Sequence, residues 1–464
     1  MTNAKADWCI LLSLAAWAAS CVHPPSGILV QFLLISYLVC LCEVKGLPAL
    51  MLLMLDRGNV KMLQSNTVAL HVGVTLTPVS WFVVMTFAYV VLKLLRKEYD
   101  NKTSGFALFW LFSSIPATII SFTARANGLV GIWSSSLMDF FSPAVYFWGI
   151  SMGKTYSQGR EYFVTRLGSL LLAINFLCCA QILYVFSFEY MAMAACLGLF
   201  LLFSREVIGH KILGSILIFI SVVSIMFTRY LSLQSKSVYL ASADLRGDTL
   251  SRMAVYMIAV MLSFLLGKRL LSRGLLRVLP ILMVAANLIF VSFVITIQKG
   301  NKAVDADFQY ETFSERVKYK IFGDRGRVWL MGWEQATTPP YIFKDLRAYI
   351  YLNRKGEYVH MLLPHNQFLT LLARNGWWQG LVLAIFIIWI QVRACRIAAD
   401  GADDFTMRVM IPTGLSIYFI IGITGQSVLN HDLLTSALAC SVFPGLIYGH
   451  WRNLQRMRWM SCAS

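Results

Sequence analysis

The chain has 464 residues, of which 58% are hydrophobic and only 14% are charged. A water-soluble core cannot bury that much apolar surface without leaving large exposed patches, so the composition excludes an ordinary soluble enzyme. The formal net charge is +17. The basic residues are dispersed among the connectors between apolar runs, and this excludes the concentrated basic patch of a nucleic-acid-binding protein.

The apolar residues form about fourteen runs that approach the roughly 20 residues a helix needs to cross a bilayer. In chain order the runs cover residues 8–22, 28–42, 44–55, 66–92, 105–122, 128–150, 167–187, 190–203, 211–228, 253–267, 278–297, 377–392, 409–424 and 433–450. Three of them, 28–42, 44–55 and 190–203, are short for a span. If some of these runs are bent or re-entrant, the number of spans is about twelve.

The connectors between these runs differ in their content of lysine and arginine. The basic residues concentrate in segments 93–104, 151–166, 204–211, 268–277, 393–408 and the C-terminal tail. The positive-inside rule places these segments in the cytoplasm. Alternation of the runs then places the long polar interval 298–376 outside.

The sequence therefore predicts an all-α, polytopic membrane protein with about 12–14 transmembrane helices and one large periplasmic loop that contains short helices. We expect three parts. Residues 1–297 form an N-terminal transmembrane bundle, and residues 298–376 form the periplasmic loop with the candidate active-site motifs. Residues 377–464 form C-terminal transmembrane helices and a cytoplasmic tail.

The cysteines and histidines predict neither disulfides nor a metal site. The ten cysteines lie mostly inside apolar runs, are absent from 298–376, and form no Cys-x-x-Cys motif. We expect them to act as small apolar side chains. The histidines outside the interval's motifs show no mutual spacing typical of metal ligands.

The interval 298–376 contains a first motif at Arg325 and Arg327, which are flanked by glycines and followed by Trp329 and Trp333. Tryptophan favours the membrane interface. An arginine held there can donate two hydrogen bonds to phosphate oxygens. The alternative is a solvated loop whose cations merely face the membrane surface.

A second motif begins at His365 and Asn366 and continues into an amphipathic run that stops at Asn375-Gly376. The Asn-Gly pair predicts the end of a helix. His365 and Asn366 then occupy the first turn, where free N–H groups and the helix dipole attract anions and favour a neutral imidazole that can accept a proton. The alternative is that one of these two residues only caps the helix.

A third candidate, Arg229, follows Thr228 at the outer end of the run 211–228. Its long side chain can extend to the lipid interface, which is the usual behaviour of such an arginine. It can equally face the same substrate as Arg325.

The two motifs resemble segments of one family. The stretch Arg325-Gly326-Arg327-Val328-Trp329 resembles the Arg-x-x-x-Trp segment of the bacterial O-antigen ligase and O-antigen polymerase superfamily. Residues 364–369 and 374–380 are similar to its His-Asn…Leu…Gly…Gly segment. The resemblance is most specific over 320–392 and elsewhere rests on topology. Residues 337–360 depart from the family pattern, which often has a proline followed by a glycine-rich turn.

The resemblance implies a multi-pass inverting glycosyltransferase of the bacterial inner membrane, with its active site facing the periplasm. The donor is a glycan linked to undecaprenyl diphosphate, and the acceptor is a lipid-linked or lipid A–core glycan. Further implied partners are membrane lipid and a chain-length regulator protein. No nucleotide-sugar donor, cofactor, metal or nucleic acid is implied.

The resemblance also implies roles for the candidate residues. Arg325 holds the donor diphosphate, with Arg229 assisting and Arg327 in reserve. His365 accepts a proton from the acceptor hydroxyl or orients it, and Asn366 orients His365 or a sugar hydroxyl. Diphosphate is a good leaving group once its charge is neutralised. The arginines can neutralise it, so the reaction needs no metal ion.

Three other functions remain open at this point. The motifs do not separate a polymerase of repeat units from a ligase that transfers glycan to lipid A–core; the chain length and the extra N-terminal runs favour the polymerase. A lipid-linked oligosaccharide flippase is also polytopic and basic, but it has less need of a large external loop and more often has charged or broken spans. A structural scaffold leaves the paired motifs unexplained.

Overall fold

A computed structural model describes most of the chain and shows it to be predominantly helical. The described residues are 1–55, 70–71, 75–125, 141–179, 188–203, 208–234, 243–300, 322, 325–339, 341–342, 349–352, 358–361, 366–401, 403–424 and 438–463. Two small antiparallel strand pairs interrupt the helices: β1 (Leu70–His71) with β2 (Thr75–Leu76), and β3 (Tyr349–Leu352) with β4 (Tyr358–Met361). The predicted helical class is confirmed, with these two hairpins as additions.

Most helices overlap predicted apolar runs, but their bounds differ, and run 66–92 contains the strand pair β1–β2 before its helix begins at Pro78. The helices are α1 (Asn3–Val22), α2 (Pro24–Leu41), α3 (Leu47–Leu53), α4 (Pro78–Leu95), α5 (Asn101–Arg125), α6 (Pro143–Met152), α7 (Tyr156–Cys179), α8 (Phe188–Phe203), α9 (Ile208–Gln234), α10 (Ala243–Gly267), α11 (Arg273–Gly300), α12 (Gly326–Thr337), α13 (Gln367–Ala399), α14 (Ile411–Thr424) and α15 (Phe443–Ala463). A 3-10 turn at Val44–Gly46 precedes α3, and π-helical turns at Thr406–Met410 and Leu438–Val442 lead into α14 and α15.

Three helical segments of the described chain are long and apolar enough to cross a membrane. They are Pro78–Leu95, Arg273–Lys299 and Asn375–Ala399. Shorter apolar helices coincide with other predicted runs, for example Tyr190–Phe203 and Met253–Gly267. Run 44–55 yields only the seven-residue α3, all of whose residues are buried inside the protein. It is a core helix because it is too short to span.

The exposed surface of α11 is apolar, as expected of a helix that faces lipid. Leu282, Ile289 and Phe293 are each at least half exposed. In water such a row of large apolar side chains would be costly, whereas against hydrocarbon it is not. The seven cysteines whose side chains are described are free thiols, most of them buried, which confirms their predicted role as apolar side chains.

Helices α6 and α15 approach closely through two pairs of glycines. Gly149 and Gly153 of α6 face Gly445 and Gly449 of α15. A Cβ atom added to Gly445 would lie 2.2 Å from the carbonyl oxygen of Tyr146, and one added to Gly449 would lie 2.1 Å from that of Ile150. Each pair has the Gly-x-x-x-Gly spacing that lets membrane helices approach backbone to backbone.

The connectors that the sequence marks as basic lie together at one end of the bundle, called here the basic end: the helix termini carrying 93–104, 151–166, 268–277, 393–408 and 452–458. Ion pairs join these segments to one another: Arg160 with Asp403 at 3.0 Å, Arg277 with Asp400, and Arg452 with Asp100. The grouping agrees with the predicted placement of these connectors on one side of a membrane.

Asp100 is one of two partly enclosed acids in this group, the other being Asp403. Burial alone would raise the pKa of its carboxyl, but hydrogen bonds from Thr103 and the ion pair with Arg452 outweigh burial and hold the pKa below its ordinary value. Asp100 is therefore a charged partner that is already committed to Arg452.

Candidate functional site

The two sequence motifs come together against α11, on the half of this helix that lies away from the basic end. Trp329 of α12 and Leu369 of α13 are both buried in one apolar cluster with Val291, Val294 and Ile295 of α11. The Trp329 ring meets Phe290 edge to face at 5.9 Å. About forty residues of sequence separate the motifs, yet the first turns of their helices share this cluster.

α13 is two helices joined at a break. Gly376 has φ 76° and ψ 176°, a backbone conformation open to glycine and strained for other residues. Residues 367–375 form the short arm and 377–399 the long arm, the latter lying within the candidate span Asn375–Ala399. The helix stop predicted from Asn375-Gly376 is confirmed, and a new helix begins directly after it.

The short arm of α13 and helix α12 run side by side in the same direction. Near their N-terminal ends Trp329 and Leu369 share the cluster on α11. Near their C-terminal ends the Gln335 side-chain amide donates to the Ala373 carbonyl at 3.2 Å, and the Trp377 indole N–H donates to the Ala336 carbonyl at 2.8 Å. The positive ends of both helix dipoles therefore lie at the same place.

That place lies beside the middle of α11 rather than beyond its end. The Asn366 amide nitrogen donates to the Asn287 side-chain oxygen at 3.3 Å, and Asn287 lies near the midpoint of α11 (Arg273–Gly300). Part of the interval predicted as a loop thus packs along a candidate span. Irregular backbone at such a depth requires enclosure by protein or a wet cavity.

Asn366 caps the short arm. Its side-chain oxygen accepts hydrogen bonds from the backbone N–H groups of Phe368 and Leu369, both at 3.1 Å. With the bond to Asn287, the amide uses both its donor and its acceptor group while 1% exposed. The capping alternative is confirmed for Asn366. Its predicted role in orienting His365 or a sugar stays a prediction.

Arg325 and Arg327 lie at the start of α12. Arg325 has helical backbone angles, lies in a π-helical turn that leads into α12 and is partly exposed, and Arg327 is exposed in the first turn of α12. Both make interactions within the protein. Trp329, one turn further, is 1% exposed. α11 and α13 enclose the ring, which makes it the anchor of the motif, and its placement at a membrane interface stays a prediction.

The remaining predicted residues are less completely described. His365 lies outside the described residues, although it directly precedes Asn366 in the sequence. Arg229 lies within α9, which continues past it to Gln234, and its side chain is outside the description.

The structure adds polar residues that the motifs did not identify. Asn287, Gln298 and Thr370 are all buried near the short arm and α11. The oxygen atoms Gln298 Oε1 and Thr370 Oγ1 have no hydrogen-bond partner among the described residues. Such groups are costly to bury unless a partner is supplied. An asparagine in the middle of the apolar run 278–297 was the available sequence signal for the hydrogen bond between Asn287 and Asn366.

Comparison with known proteins does not extend this picture. No protein-family model matches the chain, and no curated protein matches it. The family resemblance rests on the motif residues.

Proposed function

We propose that this protein is a multi-pass glycosyltransferase of the bacterial inner membrane, of the O-antigen polymerase or ligase type. It transfers a glycan from undecaprenyl diphosphate to an acceptor sugar at the periplasmic face. The observation that carries the proposal is the parallel packing of α12 and the short arm of α13 on α11. This packing supports one shared site for two motifs that are far apart in sequence.

The electrostatics of that site suit a diphosphate. The N-terminal ends of two helices lie in the same region, and their dipoles favour an anion there. Arg325 and Arg327 add two guanidinium groups at the start of α12. In this proposal Arg325 holds the diphosphate, Arg229 assists, and Arg327 is in reserve. A site enclosed by protein strengthens each of these interactions relative to water.

The reaction then needs one base and one leaving group. His365 accepts the proton of the acceptor hydroxyl while the hydroxyl oxygen forms a bond to the anomeric carbon of the donor sugar. The bond from that carbon to the diphosphate oxygen breaks, and undecaprenyl diphosphate departs with the electron pair. A single displacement of this kind inverts the anomeric centre. Asn366 fixes the first turn of the helix that directly follows His365.

The basic end supports the orientation of the enzyme. If the basic end faces the cytoplasm, the opposite ends of α11 and α13 face the periplasm, where lipid-linked glycans are assembled. Polymerisation of repeat units is favoured over ligation by the length of the chain and the extra apolar runs before the motifs.

The surface glycan of a deletion strain separates the functions. A single repeat on the lipid A–core indicates loss of a polymerase. Long chains that remain on the lipid carrier indicate loss of a ligase. A strain in which no lipid-linked intermediate reaches the periplasm would instead support the flippase, and would contradict the proposal.

The catalytic role is tested with His365→Ala. Removal of a positioned general base lowers the rate of glycan transfer by about 10²–10⁴-fold. The rate is measured with reconstituted enzyme and lipid-linked donor. The matched control is His23→Ala, since His23 is exposed and bonds only to Ser26 nearby in the chain. Transfer at the wild-type rate by the His365 variant would rule the histidine out as the base.

A further inference from the structure

A cavity of about 400 Å³ opens at the basic end, between α5, α6, α13 and α15. Its walls combine aromatic and aliphatic side chains with three cations, Lys102, Arg393 and Arg396. In the described part of the chain no acidic side chain lines it. A cavity with this lining suits a ligand that is part apolar and part anionic.

The three cations of the cavity are not neutralised by the protein. Other basic residues nearby have acidic partners, as Arg452 has Asp100 and Arg160 has Asp403. Within the described chain Lys102, Arg393 and Arg396 form no ion pair. Asp100 is the nearest acid in sequence to Lys102, and it is held by Arg452. Three unneutralised cations around one cavity create a strong local preference for an anion.

The geometry of Arg393 is fixed by aromatic rings. Its guanidinium carbon lies 3.5 Å from the centre of the Tyr448 ring and 4.6 Å from that of Trp389. Contacts of this kind hold a guanidinium group in place, because the faces of aromatic rings attract a cation. The arginine is therefore preorganised for a ligand rather than free to move in solvent.

Tyr146 lines the cavity beside Arg393. Its side chain is 1% exposed, and its hydroxyl interacts with the Arg393 guanidinium without a well-aligned hydrogen bond in the described chain. A hydroxyl that accepts from an arginine still has its own proton to donate, and an anionic oxygen in the cavity would accept that proton.

We propose that this cavity binds a phosphate group, presented by an anionic phospholipid of the adjacent leaflet, with Arg393 and Tyr146 donating to the phosphate oxygens. The apolar walls formed by Phe106, Ile150 and Val392 accept the start of the lipid chains. The site is separate from the proposed catalytic site. The long arm of α13 separates the two places by about 24 Å between Trp377 and Arg393 at 1.5 Å per residue, so the proposal holds whether or not the protein is a glycosyltransferase.

The test uses full-length protein in nanodiscs of phosphatidylcholine with and without phosphatidylglycerol, and native mass spectrometry of the lipid retained after release. Wild-type protein retains phosphatidylglycerol. Arg393→Gln and Tyr146→Phe each weaken its binding by about 10- to 100-fold, because each removes a hydrogen bond to a charged group. Tyr146→Phe keeps the shape of the ring, so it tests the hydroxyl without emptying the core.

Two controls make the result specific. Tyr418→Phe removes a buried hydroxyl without a hydrogen-bond partner in the described chain, away from the cavity, and leaves lipid retention unchanged. Arg456→Gln removes an exposed cation of the same end and has the same null effect.

A second arm identifies the source of the phosphate group. Radiolabelled inorganic phosphate is added to protein in pure phosphatidylcholine. Binding that Arg393→Gln abolishes, without retention of phosphatidylglycerol, would assign the same site to a soluble phosphate. Equal retention of phosphatidylglycerol and equal phosphate binding by wild type and both cavity variants would overturn the proposal.

Discussion

At the scale of single residues, Asn366 connects the two parts of the candidate site. Its side-chain oxygen caps the short arm of α13 and its nitrogen bonds to Asn287 on α11. We expect Asn366→Ala to lower the free energy of unfolding by about 1–3 kcal/mol, since a helix cap is lost and a buried Asn287 loses its partner. Thermal unfolding in detergent measures the change.

Asn366→Ser is the matched variant, because serine keeps a capping oxygen but cannot donate to Asn287. It should fall between wild type and Asn366→Ala. Serine and alanine variants of equal stability would contradict a capping role.

The sequence predicted the structural roles of some of these residues but not of others. The Asn-Gly break at Gly376 and a cap at the second motif were readable, because both follow from backbone chemistry within a few residues. The position of Trp329 was not, because its enclosure depends on α11 and α13, which are distant in sequence. A tryptophan near a predicted membrane surface is consistent with both an interfacial and a buried ring.

At the scale of helices, the contact between α6 and α15 depends on the absence of side chains. We expect Gly445→Ala to destabilise the protein by about 1–3 kcal/mol, because the added methyl group overlaps the Tyr146 carbonyl and forces the helices apart. The comparison is Gly105→Ala in α5, where nothing lies within 4 Å of the new Cβ atom. That change should be neutral or stabilising by up to about 1 kcal/mol.

Thermal unfolding of both glycine variants in the same detergent gives the difference directly. If Gly445→Ala were as stable as Gly105→Ala, the close approach of α6 and α15 would be wrong. The spacing of Gly149 with Gly153, and of Gly445 with Gly449, is visible in the sequence. Which two glycine faces meet is a tertiary property that spacing alone does not determine.

At the scale of the whole molecule, the basic end and its ion pairs distinguish one end of the helix bundle from the other. The proposed orientation predicts that Tyr341→Cys, exposed near the start of the long arm, reacts with a membrane-impermeant maleimide from the periplasm. Arg456→Cys at the basic end should react only after the inner membrane is permeabilised. The experiment uses a background in which the exposed Cys40 is serine. The reverse pattern of labelling would show that the protein has the opposite orientation in the membrane.

The overall architecture was also only partly predictable from the sequence. Apolar runs located most helices, since burial of the backbone in lipid or protein demands helical hydrogen bonding. They did not give the number of spans: α3 is a buried core helix, and within the described residues three segments meet the length and hydropathy of a span. Composition reports how apolar a segment is, but not whether lipid or protein surrounds it.

The glycine contact between α6 and α15 also has a consequence for biogenesis. α6 is synthesised long before α15, so its glycine face leaves the ribosome without the surface that will cover it. Until α15 has been synthesised, this glycine face of α6 makes few stabilising contacts with lipid. Assembly of this region therefore waits for the later helix. If translation stalled after α6 and before α15, the nascent chain would expose the uncovered glycine face of α6. Such exposed surface is a target for quality-control proteolysis.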